Sequence, residues 1–224
     1  MQHENNTVSI GGVDEAGRGS IIGPLVVAGI SFKKDTVSEL RNMGVKDSKA
    51  LTPKSRLSLY TQLKKIAGSI CVYKMDCRVI DDNVNLKGLN RLEARMMAHV
   101  ISNLKVDEVF VDSCDVNPDR YKNYIISYLT TVDVKLSSMH HADRINRVVA
   151  AASIVAKVTR DKEIEKIRKT HCDIGSGYPS DSKTMEFIRD WISKYKCPPN
   201  FARRSWRPLK RMLVEIERYE LRHF

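Results

Sequence analysis

Apolar and polar positions follow two periods along this chain, and the change of period marks the elements. Thr7 to Val13 and Pro24 to Phe32 (PLVVAGISF) are short β-branched runs joined by a Gly-rich loop, which predicts a hairpin. Thr52-Pro53 predicts a helix start, a hydroxyl cap followed by proline at the first helical position; the helix continues through Leu57, Leu59, Tyr60, Leu63 and Ile66 and stops at Gly68. Ser69 to Met75 (SICVYKM) predicts a third strand. Lys87 to Leu104 predicts an amphipathic helix through Leu89, Leu92, Met96, Met97, Val100 and Leu104. Glu108 to Val111 has the pattern of a buried strand ending at Asp112; Tyr121 to Leu129 predicts a helix and Val132 to Leu136 a strand. Ile145 to Arg168 contains VVAAASIVAKV, apolar all round, so this helix must pack on both sides and is expected at the centre. Lys183 to Tyr195 and Pro208 to Arg222 are amphipathic helices joined by the basic loop KCPPNFARRSWRP. Strands interleave with helices to about residue 170 and helices follow, which predicts an α/β fold over residues 1–180 with a helical C-terminal extension, 181–224, on the same core.

At 224 residues and 42% hydrophobic the chain is long enough to bury a full core. Lys and Arg number 38 against 27 Asp and Glu, a formal charge of +11. That excess favours a polyanionic partner through counterion release, although solubility alone would also use it. Cysteines stand at 71, 77, 114, 172 and 197 with no C-x-x-C pair, which argues against structural zinc and for reduced thiols in a cytoplasmic setting. The leading MQHENNT has no secretion-signal pattern, and no apolar run is long enough to span a bilayer, so no membrane partner is expected.

The chemistry lies at strand ends. Asp14 and Glu15 follow the first strand, Asp112 the fourth and Asp143 the fifth. Neighbouring strands of one direction would bring these acids to one edge of the sheet. Two such charges about 4 Å apart repel by about 4 kcal/mol at an effective dielectric near 20, so the cluster must raise its pKa values or hold a cation. Hard oxygen donors select Mg²⁺ or Mn²⁺, and a pair of such ions suits phosphodiester displacement. The bland alternative is a set of Asx turns and solvated strand ends. GRGSIIG is not a dinucleotide fingerprint: its spacing is G-x-G-x-x-x-G, a strand follows it, and two acids precede it. Its glycines instead permit close approach of a sugar or phosphate, with Arg18 at hand.

Five segments in order resemble ribonuclease HII, with the single-chain archaeal form most similar: DEAGRG with Gly23-Pro24, KDSKALTP (46–53), VDSCDVN (111–117), AASIVAKVTRD (151–161) and GSGYPSD (175–181). The resemblance implies a ribonuclease H-like fold, a mixed five-stranded sheet with helices on both faces. It implies a metal-dependent endoribonuclease that cuts the RNA strand of RNA-DNA hybrids and 5′ of ribonucleotides embedded in duplex DNA, leaving 3′-hydroxyl and 5′-phosphate ends. The family's acids carry over onto Asp14, Glu15, Asp112 and Asp143 as catalytic residues holding two Mg²⁺ or Mn²⁺ ions. Gly17, Arg18 and Gly19 then read the 2′-hydroxyl, and Tyr178 packs on the junction sugar. Lys46, Ser48 and Lys49 are candidate phosphate contacts, and Lys157 on the apolar helix needs a phosphate or carboxylate partner or else snorkels to the surface. Two departures stand out: Ser20 replaces the family's usual proline after GRG, and Arg144, Asn146 and Arg147 replace a Lys-Tyr-Pro-like stretch after Asp143. A monomer is expected. The last seven residues, RYELRHF, partly match the sliding-clamp pattern Q-x-x-L-x-x-F-F, with Arg218 in place of its glutamine. The rival reading is a non-catalytic nucleic-acid-binding module, which would gain nothing from clustered acids.

Overall fold

The computed structural model describes residues 8–45, 51–86, 88–130 and 133–222. Its elements are β1 (Ser9–Ala16), β2 (Leu25–Lys33), a 3-10 turn (Lys34–Ser38), α1 (Glu39–Asn42), α2 (Pro53–Ile66) and β3 (Ser69–Met75). There follow α3 (Cys77–Asn85), α4 (Leu89–Leu104), β4 (Glu108–Asp112), α5 (Pro118–Tyr128), β5 (Lys135–Met139), α6 (Ala142–Ile145), α7 (Arg147–His171), α8 (Ser182–Tyr195) and α9 (Arg207–Arg222). The five strands form one sheet in the order β3-β2-β1-β4-β5. β1 runs antiparallel to β2 and parallel to β4, which runs parallel to β5. This is the mixed five-stranded sheet of a ribonuclease H-like fold.

The chain groups into two compact units. The first comprises residues 1–16, 26–73 and 90–159 and holds most of the sheet. Its core joins the even positions of β1 and β2 (Ile10, Ala16, Val26, Ala28, Ile30, Phe32) to Leu59 and Leu63 of α2 and to the apolar face of α7 from Val148 to Val158. On the opposite side of the sheet, Val100 and Leu104 of α4 lie against Gly29, and Leu104 against Gly11. The second unit comprises residues 17–25, 74–89 and 160–224. Its core gathers Ile21, Ile22, Ile164, Ile174, Ile188, Ile192, Leu209 and Met212. Among the described residues no helix is long and apolar enough to cross a membrane.

Local chemistry explains most boundaries. The Thr52 hydroxyl accepts from Ser55 N with Pro53 at the first helical position, as the sequence predicts. Asp76 caps α3 by accepting from Arg78 N and Val79 N, a short amphipathic helix that the sequence reading did not place. β1 runs three residues further than its apolar pattern, because pairing with β2 continues to Ala16 opposite Val26. β5 lies later than predicted, at Lys135–Met139, where it pairs in register with β4 from Glu108 to Asp112. Val132, where that strand was expected to begin, and Lys87, expected to begin α4, lie outside the described residues.

One close approach fixes the sheet against α7. A Cβ on Gly12 would stand 2.3 Å from the Val148 carbonyl oxygen, a backbone atom that cannot swing aside. Gly12→Ala is therefore expected to cost about 3 kcal/mol or more in chemical denaturation. Gly19→Ala, whose Cβ meets nothing within 4 Å, should change stability by less than about 0.5 kcal/mol. Equal stability of the two variants would show that α7 is free to shift.

Candidate active site

Asp14 lies inside β1, two residues beyond Gly12, so the pleat turns it to the same face, toward α7. It is 5% exposed. Its Oδ1 accepts from Glu15 N at 2.8 Å, and its carboxyl is hydrogen-bonded with Ser153 of α7. Lys157, one turn further along α7, donates to the Ser153 hydroxyl and acts on Asp14 through its charge. The lysine that the sequence left between phosphate, carboxylate and solvent thus closes a Lys157–Ser153–Asp14 chain. Asp112, at the end of the adjacent parallel strand, repels Asp14. Burial first, and then Asp112, raise the Asp14 pKa to about 6 against the lowering effects of Ser153, Lys157 and the Glu15 amide.

Glu15 starts from the other face of the strand, toward α4. There it meets Glu93, a carboxylate with no exposed surface, whose Oε1 accepts from the Tyr121 hydroxyl at 3.4 Å. Glu15 also hydrogen-bonds with Asp14 and feels the charge of Asp112. Burial above all, then Glu93, Asp14 and Asp112, push its pKa well up. Its Oε2 is buried with no hydrogen-bond partner among the described residues. Burial and Glu93 likewise push the Tyr121 phenol up. Sequence reasoning missed Glu93. The available signal was an acid beside Leu92, three residues before Met96 and four before Met97, on the stripe that a core-facing helix keeps apolar.

Asp112 Oδ1 accepts from Ala142 N at 2.7 Å, which ties the strand end to the turn carrying Asp143. Asp143 follows directly in α6 and is 5% exposed. His141, at φ 54°, makes the left-handed turn into α6, and His140 Nε2 lies 3.2 Å from the Val116 carbonyl. The second acid of VDSCD has a different setting. Asp115 is buried, which alone would raise its pKa, but the Arg120 guanidinium, Asn117 N and the Asn90 amide all donate to it and hold it at about 2. Asp115 is satisfied by the fold, whereas Asp14 and Glu15 are held at odds with their surroundings.

The donor chemistry fits a hard divalent cation: carboxylate oxygens, mutual repulsion and a buried Glu15 oxygen without a hydrogen-bond partner among the described residues. Among the described residues, however, no three His, Cys, Asp or Glu side chains are gathered closely enough to hold a metal ion. The electrostatic cluster is assembled, and a closed coordination shell is not.

The other candidates belong to the second compact unit or lie outside the description. Gly17 has φ +84°, and Ser20 closes the turn after it by donating Oγ to the Gly17 carbonyl at 2.8 Å. Arg203, fully buried, donates to the carbonyls of Arg18 and Gly23. Gly19 is exposed and Arg18 half-buried. Ile21 N and Ile22 N both donate to the Gly177 carbonyl, which ties the Gly17–Gly23 loop to the segment bearing half-buried Tyr178. Lys46, Ser48 and Lys49 lie outside the described residues.

A raised carboxylate pKa has a defined effect on stability. Well below the ordinary 3.8 Asp14 is protonated both folded and unfolded, and its contribution vanishes; between about pH 4 and 6 the unfolded chain has released this proton while the buried acid still holds it, so stability falls as pH rises and levels off above about 6. In EDTA, Asp14→Asn should therefore raise stability by on the order of 1–3 kcal/mol above pH 6, and the gain should fade toward pH 4. A gain independent of pH would assign it to packing instead.

The family model for ribonuclease HII matches residues 11–209. Ribonuclease HII of Cenarchaeum symbiosum (strain A) is 49% identical over 199 residues, covering 89% of this chain and 95% of its own. The ribonuclease H2 structure from Pyrococcus horikoshii OT3 superposes with a TM-score of 0.87 at 36% identity, covering 94% of this chain and 99% of the other. The PCNA:RNase HII complex from Archaeoglobus fulgidus contains a chain that superposes with a TM-score of 0.82 at 36% identity, covering 89% and 96%. On a match of this extent the chain belongs to the ribonuclease HII family, hydrolases of the ribonuclease H type that cleave the RNA strand of RNA-DNA hybrids.

Proposed function

We propose that this enzyme also cuts duplex DNA 5′ of a single embedded ribonucleotide, leaving 3′-hydroxyl and 5′-phosphate ends, and that Asp14, Glu15, Asp112 and Asp143 are its catalytic acids. What carries the reading is the placement of buried Asp14 beside half-buried Asp112 on adjacent parallel strands, where burial and the second carboxylate push the Asp14 pKa up to about 6. A fold gains nothing from such a pair unless a ligand of opposite charge completes it. When bound, two Mg²⁺ or Mn²⁺ ions supply the charge that steadies the attacking and leaving oxygens of a phosphodiester. Asp14, Glu15, Asp112 and Asp143 would hold them. Ser153 and Lys157 fix the Asp14 carboxyl and favour its ionised form. Gly17, Arg18 and Gly19 read the 2′-hydroxyl, the group that separates ribose from deoxyribose, and Tyr178 packs on that sugar. For a partner, RYELRHF, which partly matches the sliding-clamp pattern, is the segment that would engage a sliding clamp; a PCNA complex formed by the Archaeoglobus fulgidus relative supports this reading.

With a labelled duplex bearing one ribonucleotide, the wild-type protein should cut in Mg²⁺ or Mn²⁺ and not in EDTA. Asp14→Asn and Asp112→Asn should each lower turnover by on the order of 10³-fold while hybrid binding in EDTA is kept. Wild-type cleavage of hybrids alone would remove the embedded-ribonucleotide activity. Full turnover in Asp14→Asn would remove that residue from the mechanism. Deleting residues 218–224 should abolish co-elution with a sliding clamp and leave cleavage of short duplexes unchanged.

A further inference from the structure

Arg160 belongs to none of the carboxylate contacts above, yet it is one of the buried charges among the described residues, at 4% exposure. It stands on α7 between two segments of its own unit. On one side is Gly17, packed so tightly that a Cβ there would lie 2.7 Å from both Cδ and Nε of Arg160. On the other is Tyr178, whose ring centroid is 4.3 Å from the guanidinium carbon. Nη2 donates to the Ser176 carbonyl at 3.0 Å, and Nε is buried with no hydrogen-bond partner among the described residues. A long basic side chain ordinarily carries its head to water. This one ends on a ring face and a carbonyl, and burial lowers its pKa.

The backbone separates two tasks. Ile21 N and Ile22 N already bind the Gly177 carbonyl, so the two loops stay joined whatever occupies position 160. What the guanidinium adds is a flat, charged surface under Tyr178, which sets the direction of its ring. Arginine suits this task better than lysine, because a planar fork stacks and donates at once. From this geometry we infer that Arg160 is a positioning residue that aims Tyr178 relative to the Gly17–Gly19 turn, and so sets how sharply a lone ribose is told from deoxyribose. The inference rests on the roles proposed above for Gly17, Arg18, Gly19 and Tyr178. A uniform hybrid offers a ribose at every step of the RNA strand and tolerates a loosely aimed ring; a single embedded ribonucleotide offers one.

The test compares single-turnover cleavage of two duplexes of equal length, one with a single ribonucleotide and one a uniform hybrid, by the wild-type protein, Arg160→Lys and Arg160→Gln. Thermal melts identify the folded variants, and the cut position is mapped at nucleotide resolution. The ratio of embedded-ribonucleotide to hybrid cleavage should fall about tenfold in both variants, with hybrid turnover within about threefold of wild type and with cuts appearing away from the 5′ side of the ribonucleotide. Lysine should restore the melting temperature more fully than the ratio. If the wild-type protein fails on the embedded ribonucleotide, the proposed function itself fails. If it succeeds and both variants keep the wild-type ratio and cut position, or lose both activities in proportion, Arg160 is a structural residue and the inference is overturned.

Discussion

Two carboxylates of like charge on neighbouring strands, Asp14 buried and Asp112 half-buried, repel each other, and the folded chain keeps them in that relation. Much of the first unit can be understood from how this repulsion is contained. The bare backbone at Gly12 lets α7 lie against β1, and that contact at Val148 determines which residues arrive over Asp14 further along the helix. Five residues on is Ser153 and nine on is Lys157, a hydroxyl and a cation aligned on the acid. A helix held off by one methyl group would lose that alignment. The site therefore depends on a residue with no side chain.

The containment is partial, and the contrast within one motif makes this visible. Asp115 has three donors and a pKa near 2, so its charge stabilises the fold at neutral pH. Asp14 and Glu15 lean the other way and destabilise it. Proteins keep such conflicts at sites that work, because the strain is relieved only when a ligand arrives. Glu93 enlarges the conflict from the opposite face of the sheet and belongs in any account of how Glu15 is held.

The sequence carries the architecture well where one residue decides locally: the Thr52 cap with Pro53, β3 at Ser69–Met75 and the all-apolar turns of α7. Boundaries decided by a partner strand are not local. The extension of β1 through two acids required β2 beside it, and the position of β5 required β4. The acids themselves were legible as strand-end residues. That Asp14 would face Ser153 and Lys157 while Glu15 set out toward Glu93 was not, because it depends on pleat phase and on two helices distant in sequence. Nothing local in the sequence marks Arg160 or Arg203 as buried; that depends on partners distant in sequence, Gly17 and Tyr178 around the first and the Arg18 and Gly23 carbonyls around the second.

The turn after Gly17 shows how one departure from the family's usual residue shifts the source of rigidity. A proline at position 20 would constrain that turn covalently, at every temperature alike. Ser20 constrains it instead through a hydroxyl that reaches the Gly17 carbonyl and a backbone N–H that reaches it less closely. Such a tie is enthalpic and open to competition from water, so warming loosens this turn sooner than it would loosen a prolyl one. The loop proposed to meet the sugar would thus have a thermal response of its own, apart from the melting of the protein that carries it.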